Sequence, residues 1–136
     1  LELAEKLQRR LEYEDKSIDI FFQVNTSYEG SKFGIDPEHT LQFAKNIQSF
    51  DRLNIKGLMT IGIFSTDYVR VRKCFKLLHK IQSQLLDCGF DVHEMSMGMS
   101  GDLEIAIEEG ATIVRLGTAI FGQRIYPDSY YWNEAR

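Results

Sequence analysis

Apolar residues recur along this chain with the spacing of helices in some stretches and as short continuous runs in others. Between residues 67 and 88, Val71, Phe75, Leu78, Ile81, Leu85 and Cys88 fall on one helical face, and Gly89 supplies a stop. A second helix is predicted over 37–50, where Asp36-Pro37-Glu38 reads as an N-cap, a first-turn proline and a first-turn acid, and Phe43, Ala44, Ile47 and Phe50 share a face. An amphipathic segment at 1–13 predicts a third, and Ser100 is placed to cap a fourth with Leu103, Ala106 and Ile107 on its apolar face and Gly110 at its end. The short apolar runs at 18–24, 56–61, 92–97 and 111–116 predict strands. Residues 18–24, Ile-Asp-Ile-Phe-Phe-Gln-Val, are mostly apolar, as in a parallel sheet covered on both faces.

Strands alternating with helices predict an α/β fold with a parallel sheet, whose apolar helix stripes serve as core cover. A complete (β/α)8 TIM barrel takes about 250 residues, so the 136 residues here correspond to about half of one, a single partial barrel domain over 1–136. Such a half barrel leaves two open edges. The expectation is therefore self-association, or pairing with a separate N-terminal half. The aromatic stretch at 126–132 is expected to form a short last helix on the outside.

The richest chemistry lies at 95–124, MSMGMSGDLEIAIEEGATIVRLGTAIFGQR. Small, hydroxylated and glycine residues follow two consecutive predicted strands, at Gly98 to Gly101 and at Gly117-Thr118. Unobstructed backbone N–H groups at such turns bind dianions, and barrels build phosphate sites from the loops after their last strands. Each glycine taken singly reads equally as an ordinary turn residue, and Ser100 as an ordinary N-cap. Arg115 interrupts the apolar run Thr112-Ile113-Val114. A buried guanidinium needs a partner, so it reaches a rim carboxylate or faces a polar ligand.

Four segments, FFQVNTSYEGSKFGI at 21–35, KGLMTIG at 56–62, SMGMSGDLEIAI at 96–107 and GATIVRLGTAIFGQR at 110–124, together resemble the pyridoxal 5′-phosphate homeostasis proteins. These are also called proline synthase co-transcribed homologues, and they are similar to the barrel domain of alanine racemases. The match covers almost the whole chain, in order, and corresponds to the C-terminal part of the family. The resemblance implies a pyridoxal 5′-phosphate site formed by Met99, Ser100, Arg115, Gly117 and Thr118, with the phosphate on Ser100, Gly117 and Thr118 and the pyridine nitrogen facing Arg115. An arginine there keeps the nitrogen unprotonated, because two cations in one desolvated spot repel. Asn25 and Lys32 are implied at the pocket rim, with a capping role in its own loop as the alternative for Asn25 and a solvent-exposed loop residue as that for Lys32. The family's Schiff-base lysine belongs to an A-V-S-K-type motif on the first barrel strand, and no such motif occurs in these residues. The implied function is non-catalytic cofactor homeostasis; the alternatives are a racemase-like enzyme and an inactive, truncated fragment.

Other properties narrow the partners. Twenty acidic against sixteen basic residues give a net charge of −4, which provides no basic footprint for nucleic acid or anionic membrane. Arg70, Arg72 and Lys73 read as a solvated helix face. No apolar run approaches a transmembrane length, and a cytoplasmic location is expected. Cys74 and Cys88 lie about 21 Å apart along one predicted helix and read as reduced, partly buried thiols. His39, His79 and His93 lack ligand spacing, so no metal is expected.

Overall fold

The computed structural model describes residues 1–30 and 33–126. The chain runs through α1 (Glu2–Tyr13), β1 (Ile18–Gln23), a 3-10 turn (Pro37–His39) that leads into α2 (Thr40–Ile47), β2 (Leu53–Met59), α3 (Tyr68–Asp87), β3 (Glu94–Met99), α4 (Leu103–Glu108), β4 (Ile113–Arg115) and the single turn α5 (Thr118–Phe121). The four strands lie in chain order in one sheet, and each neighbouring pair is parallel. This is the succession of β/α units that builds a TIM barrel, to about half of its eight strands. Among the described residues no helix is long and apolar enough to cross a membrane.

The core lies between the sheet and its helices. Phe22 and Val24 of the first strand region, Leu58, and Met95 with Met97 all point to the side where Ala44, Ile47, Val71, Phe75, Leu78, Ile81 and Leu85 are buried. Phe43 meets Phe22 edge to face, with ring centroids 5.2 Å apart. The α3 stripe is buried as its spacing predicts, except that Cys88, the last position, is exposed beyond the helix end; both cysteines are free. In α4 the buried face is Ala106 with Ile105 packed against the core, whereas Ile107 is exposed. A six-residue helix makes fewer than two turns, so the angle at which it docks, rather than its sequence period, chooses its inner face.

Two irregularities bend the sheet. Ile20 pairs with Ile55 but Phe21 with Gly57, which leaves Lys56 bulged. Ser96 pairs with Ile113 but Met99 with Arg115, a second register shift around Gly98. Gly98 has φ +93, and a Cβ there would lie 2.5 Å from that of Ala106. Bulges sharpen twist and re-aim the residues that follow. Here the second shift lies just before the turn whose Ser100 reaches the start of α5.

Candidate functional site

Polar side chains gather where the strands end. Thr26 follows β1, Thr60 follows β2, Ser96 lies in β3 and Arg115 ends β4. Thr26, Thr60 and Ser96 are all buried, which obliges each hydroxyl to find partners. A hydroxyl has one proton to donate. That of Thr60 goes to the Val24 carbonyl at 2.9 Å, so its oxygen accepts from the Thr26 hydroxyl at 2.8 Å and from the Gly62 N–H at 3.2 Å.

Arg115 joins this cluster from the far strand. Its Nη1 donates to the Ser96 Oγ at 2.6 Å and its Nη2 to the Thr60 carbonyl at 2.8 Å. Of the two partners expected for this residue, a rim carboxylate is not the one found: among the described residues no carboxylate lies within ion-pair distance of the guanidinium. Burial pushes its pKa below the ordinary arginine value, and the nearby charge of Asp102 opposes that shift. The result is a half-buried cation on the open face of the sheet, held by neutral acceptors.

The two glycine-rich turns meet. Ser100 does not cap α4. Its Oγ accepts from the N–H groups of Gly117 at 3.2 Å and Ala119 at 3.1 Å, at the beginning of α5. Asp102 takes the N-cap position of α4 without a capping bond, and its carboxylate accepts the Met99 N–H at 2.6 Å instead. Unpaired N–H groups at the start of α5 need an acceptor, and the turn at Gly98 brings the Ser100 hydroxyl to them. Met99 itself is exposed at the end of β3 and lies in register with Arg115. Thus Met99, Ser100, Arg115, Gly117 and Thr118 come from two adjacent strand ends.

Asn25 lies apart from that group. Its amide donates to the Glu29 carbonyl at 2.9 Å and its side-chain oxygen accepts from Ser27 at 3.2 Å, which is the loop-capping arrangement. It also borders a cavity of about 140 Å³ together with Val24, Ser27, Phe33, Thr60 and Gly62. Lys32 lies outside the described residues. Arg72, expected on a solvated face, instead donates to Glu109 and Glu108 at 2.5 Å each and ties α3 to α4.

Thr26, Thr60, Ser96 and Asp102 were not among the expected site residues. A signal for three of them was present: a hydroxyl within or just beyond an apolar strand segment, repeated on three successive strands.

Comparison with known proteins follows the same lines. The family described as "Alanine racemase, N-terminal domain" matches residues 1–125. A curated pyridoxal phosphate homeostasis protein from Vibrio cholerae is 44% identical over 109 residues, which are 80% of this chain and 46% of that protein. The crystal structure of an unknown protein from Bifidobacterium adolescentis superposes with a TM-score of 0.85 at 43% identity, covering 88% of this chain and 49% of the other. PipY of Synechococcus elongatus with PLP bound gives a TM-score of 0.77 at 28% identity, covering 88% and 56%. The chain spans about half the length of the curated relatives it matches.

Proposed function

The chain belongs to the alanine racemase N-terminal domain family, and from that premise we propose that it supplies the phosphate and ring contacts for pyridoxal 5′-phosphate in a protein that holds the cofactor in reserve. The observation that carries this reading is the convergence of Ser100 with the Gly117 and Ala119 N–H groups beside Arg115, a cation without a carboxylate partner among the described residues. A hydroxyl and turn amides suit a phosphate dianion, and a guanidinium suits a weakly basic ring nitrogen. The residues present therefore fit the group.

In this proposal Ser100, Gly117 and Thr118 take the phosphate, with Met99 beside them, and Arg115 faces the ring nitrogen. When bound, the cofactor supplies a reactive aldehyde and an aromatic ring that accepts electrons. Arg115 opposes protonation of that ring and weakens its pull on electrons, which favours storage over carbanion chemistry. Racemisation would need an acid and a base on opposite faces of a substrate carbon.

The test is a titration of the purified chain with pyridoxal 5′-phosphate, followed by absorbance and repeated with borohydride reduction and intact mass. Saturable binding without a reduced adduct is expected, the grip being non-covalent. Ser100→Ala and Arg115→Ala are each expected to weaken it roughly tenfold to a hundredfold, the range for a hydrogen bond to a charged group. No saturation by the parent chain would overturn the reading, and racemisation of alanine by the pure chain would replace it with an enzymatic one. An adduct on Lys32 would show that this lysine is a covalent anchor.

A further inference from the structure

Arg115 carries a long side chain, and an arginine free to rotate gives up rotamer freedom when a ligand fixes it. Here the guanidinium is already fixed by groups on two other strands. Ser96 of β3 accepts from Nη1, and the Thr60 carbonyl after β2 accepts from Nη2. The Thr60 carbonyl is in turn held by its own residue: the hydroxyl ties Val24, Thr26 and Gly62 together, and the Thr60 N–H donates to the Ser96 carbonyl at 3.1 Å. Val24 and Thr26 after β1, Thr60 after β2, Ser96 within β3 and Arg115 at the end of β4 therefore meet in one hydrogen-bonded cluster, and the guanidinium is carried by its one half-buried polar member. Two of its five N–H bonds are used in this way, which leaves three for a ligand.

We propose that Ser96 and Thr60 are positioning residues that pre-set the Arg115 guanidinium for the ring of the cofactor. This rests on the reading that the site takes pyridoxal 5′-phosphate. In this proposal neither residue touches the ligand. Ser96 acts by its hydroxyl, and Thr60 acts by its backbone carbonyl, whose direction the buried hydroxyl cluster maintains. A role limited to tying strand ends together would affect stability and leave the electronic state of a bound ring unchanged. A positioning role changes that state, because a guanidinium that drifts from the ring nitrogen no longer opposes its protonation.

The experiment has two arms on the full chain. Without ligand, nitrogen-15 NMR of the Arg115 side chain reads the restraint: separate Nη signals are expected for the parent, and merged signals, from free rotation of the guanidinium, for Ser96→Ala. With pyridoxal 5′-phosphate labelled at the ring nitrogen, Ser96→Ala and Thr60→Val are expected to bind about fivefold more weakly, one net hydrogen bond's worth. Their ring nitrogen is expected to take up its proton at a higher pH than in the parent. Thr60→Ser keeps the hydroxyl and is expected to match the parent in both respects. Should Thr60→Val fail to fold, Ser96→Ala decides, since it leaves the Thr60 cluster intact. Merged Arg115 signals in the parent, or an unchanged ring titration in Ser96→Ala, would overturn the proposal. If the parent binds no cofactor, the proposed function fails, and the ligand-free arm alone decides whether Arg115 is pre-set.

Discussion

Asn25 is buried, yet both ends of its side chain amide are satisfied within its own loop, by Glu29 and Ser27. Asn25→Ala is therefore expected to cost about 1–2 kcal/mol through the two lost hydrogen bonds, while cofactor affinity stays within about threefold of the parent. Thermal melting and the same titration measure both; a larger loss of affinity would return Asn25 to the ligand. Ser100 presents the opposite case. Its residue type was readable as a cap, but which N–H groups it serves depends on which helix start the fold brings near, and α5 lies seventeen residues further on from Ser100 at Gly117. Arg115 was recognisable as costly to bury, because the run around it is apolar. Its partners were not, since Ser96 and the Thr60 carbonyl lie nineteen and fifty-five residues away in sequence.

At the scale of elements, periodicity found α3 almost to the residue, because twenty residues with an N-cap at Asp67 give many turns of the same message. Asp67 accepts from the N–H groups of Val69 and Arg70, as a cap should. Strand limits were less legible. The run predicted at 56–61 forms β2 over Leu53–Met59, since β1 offers partners back to the Ile18–Leu53 pair and pairing overrides the polar Asn54. The run predicted at 92–97 begins at Glu94 instead, because the carbonyls of Val92 and His93 are taken by the Gln82 amide. The predicted 37–50 helix opens with a 3-10 turn and ends at Ile47, and Asp36 makes no side-chain cap bond. The predicted 126–132 helix falls almost wholly outside the described residues.

Two predictions belong at this scale. A Cβ on Gly57 would lie 2.0 Å from the Glu94 carbonyl, so β2 and β3 approach too closely for any side chain there. Gly57→Ala is expected to destabilise the chain by about 1–3 kcal/mol, as overpacked cores do, with denaturant unfolding as the measurement. Arg72→Ala removes the link from α3 to Glu108 and Glu109. Because Arg72 and Glu108 are solvent-accessible and only Glu109 is largely covered, the melting temperature should move little, but amide exchange in α4 should quicken. Unchanged exchange would show that core packing of Ala106 suffices to hold α4.

For the whole molecule, the feature that matters is the uncovered side of the sheet. Phe21, Ile61 and Ile113 remain 37%, 46% and 39% exposed on or beside it; among the described residues β4 has one edge without a neighbouring strand, and the outer edge of β1 is met only near its end, by the bridge from Val24 to Ile35. Exposed edges of this kind template further pairing. Light scattering of the isolated chain is expected to give a mass above the 15.8 kDa of one copy. A strictly monomeric mass would show that the open sheet tolerates water without a partner.

The sequence by itself determined the alternation of helices and strands, the buried face of the long helix α3 and the presence of two small-residue turns with an arginine before the second. These follow from local spacing, which a side chain carries wherever the fold places it. Only the tertiary structure decided that Ser100 serves α5, that Arg115 is held by Ser96 and Thr60, and that Thr26 and Thr60 share one proton relationship. Those contacts depend on the twist of the sheet and on its two bulges, which bring together strand ends far apart in the chain, and no residue's local pattern encodes the position of a distant backbone.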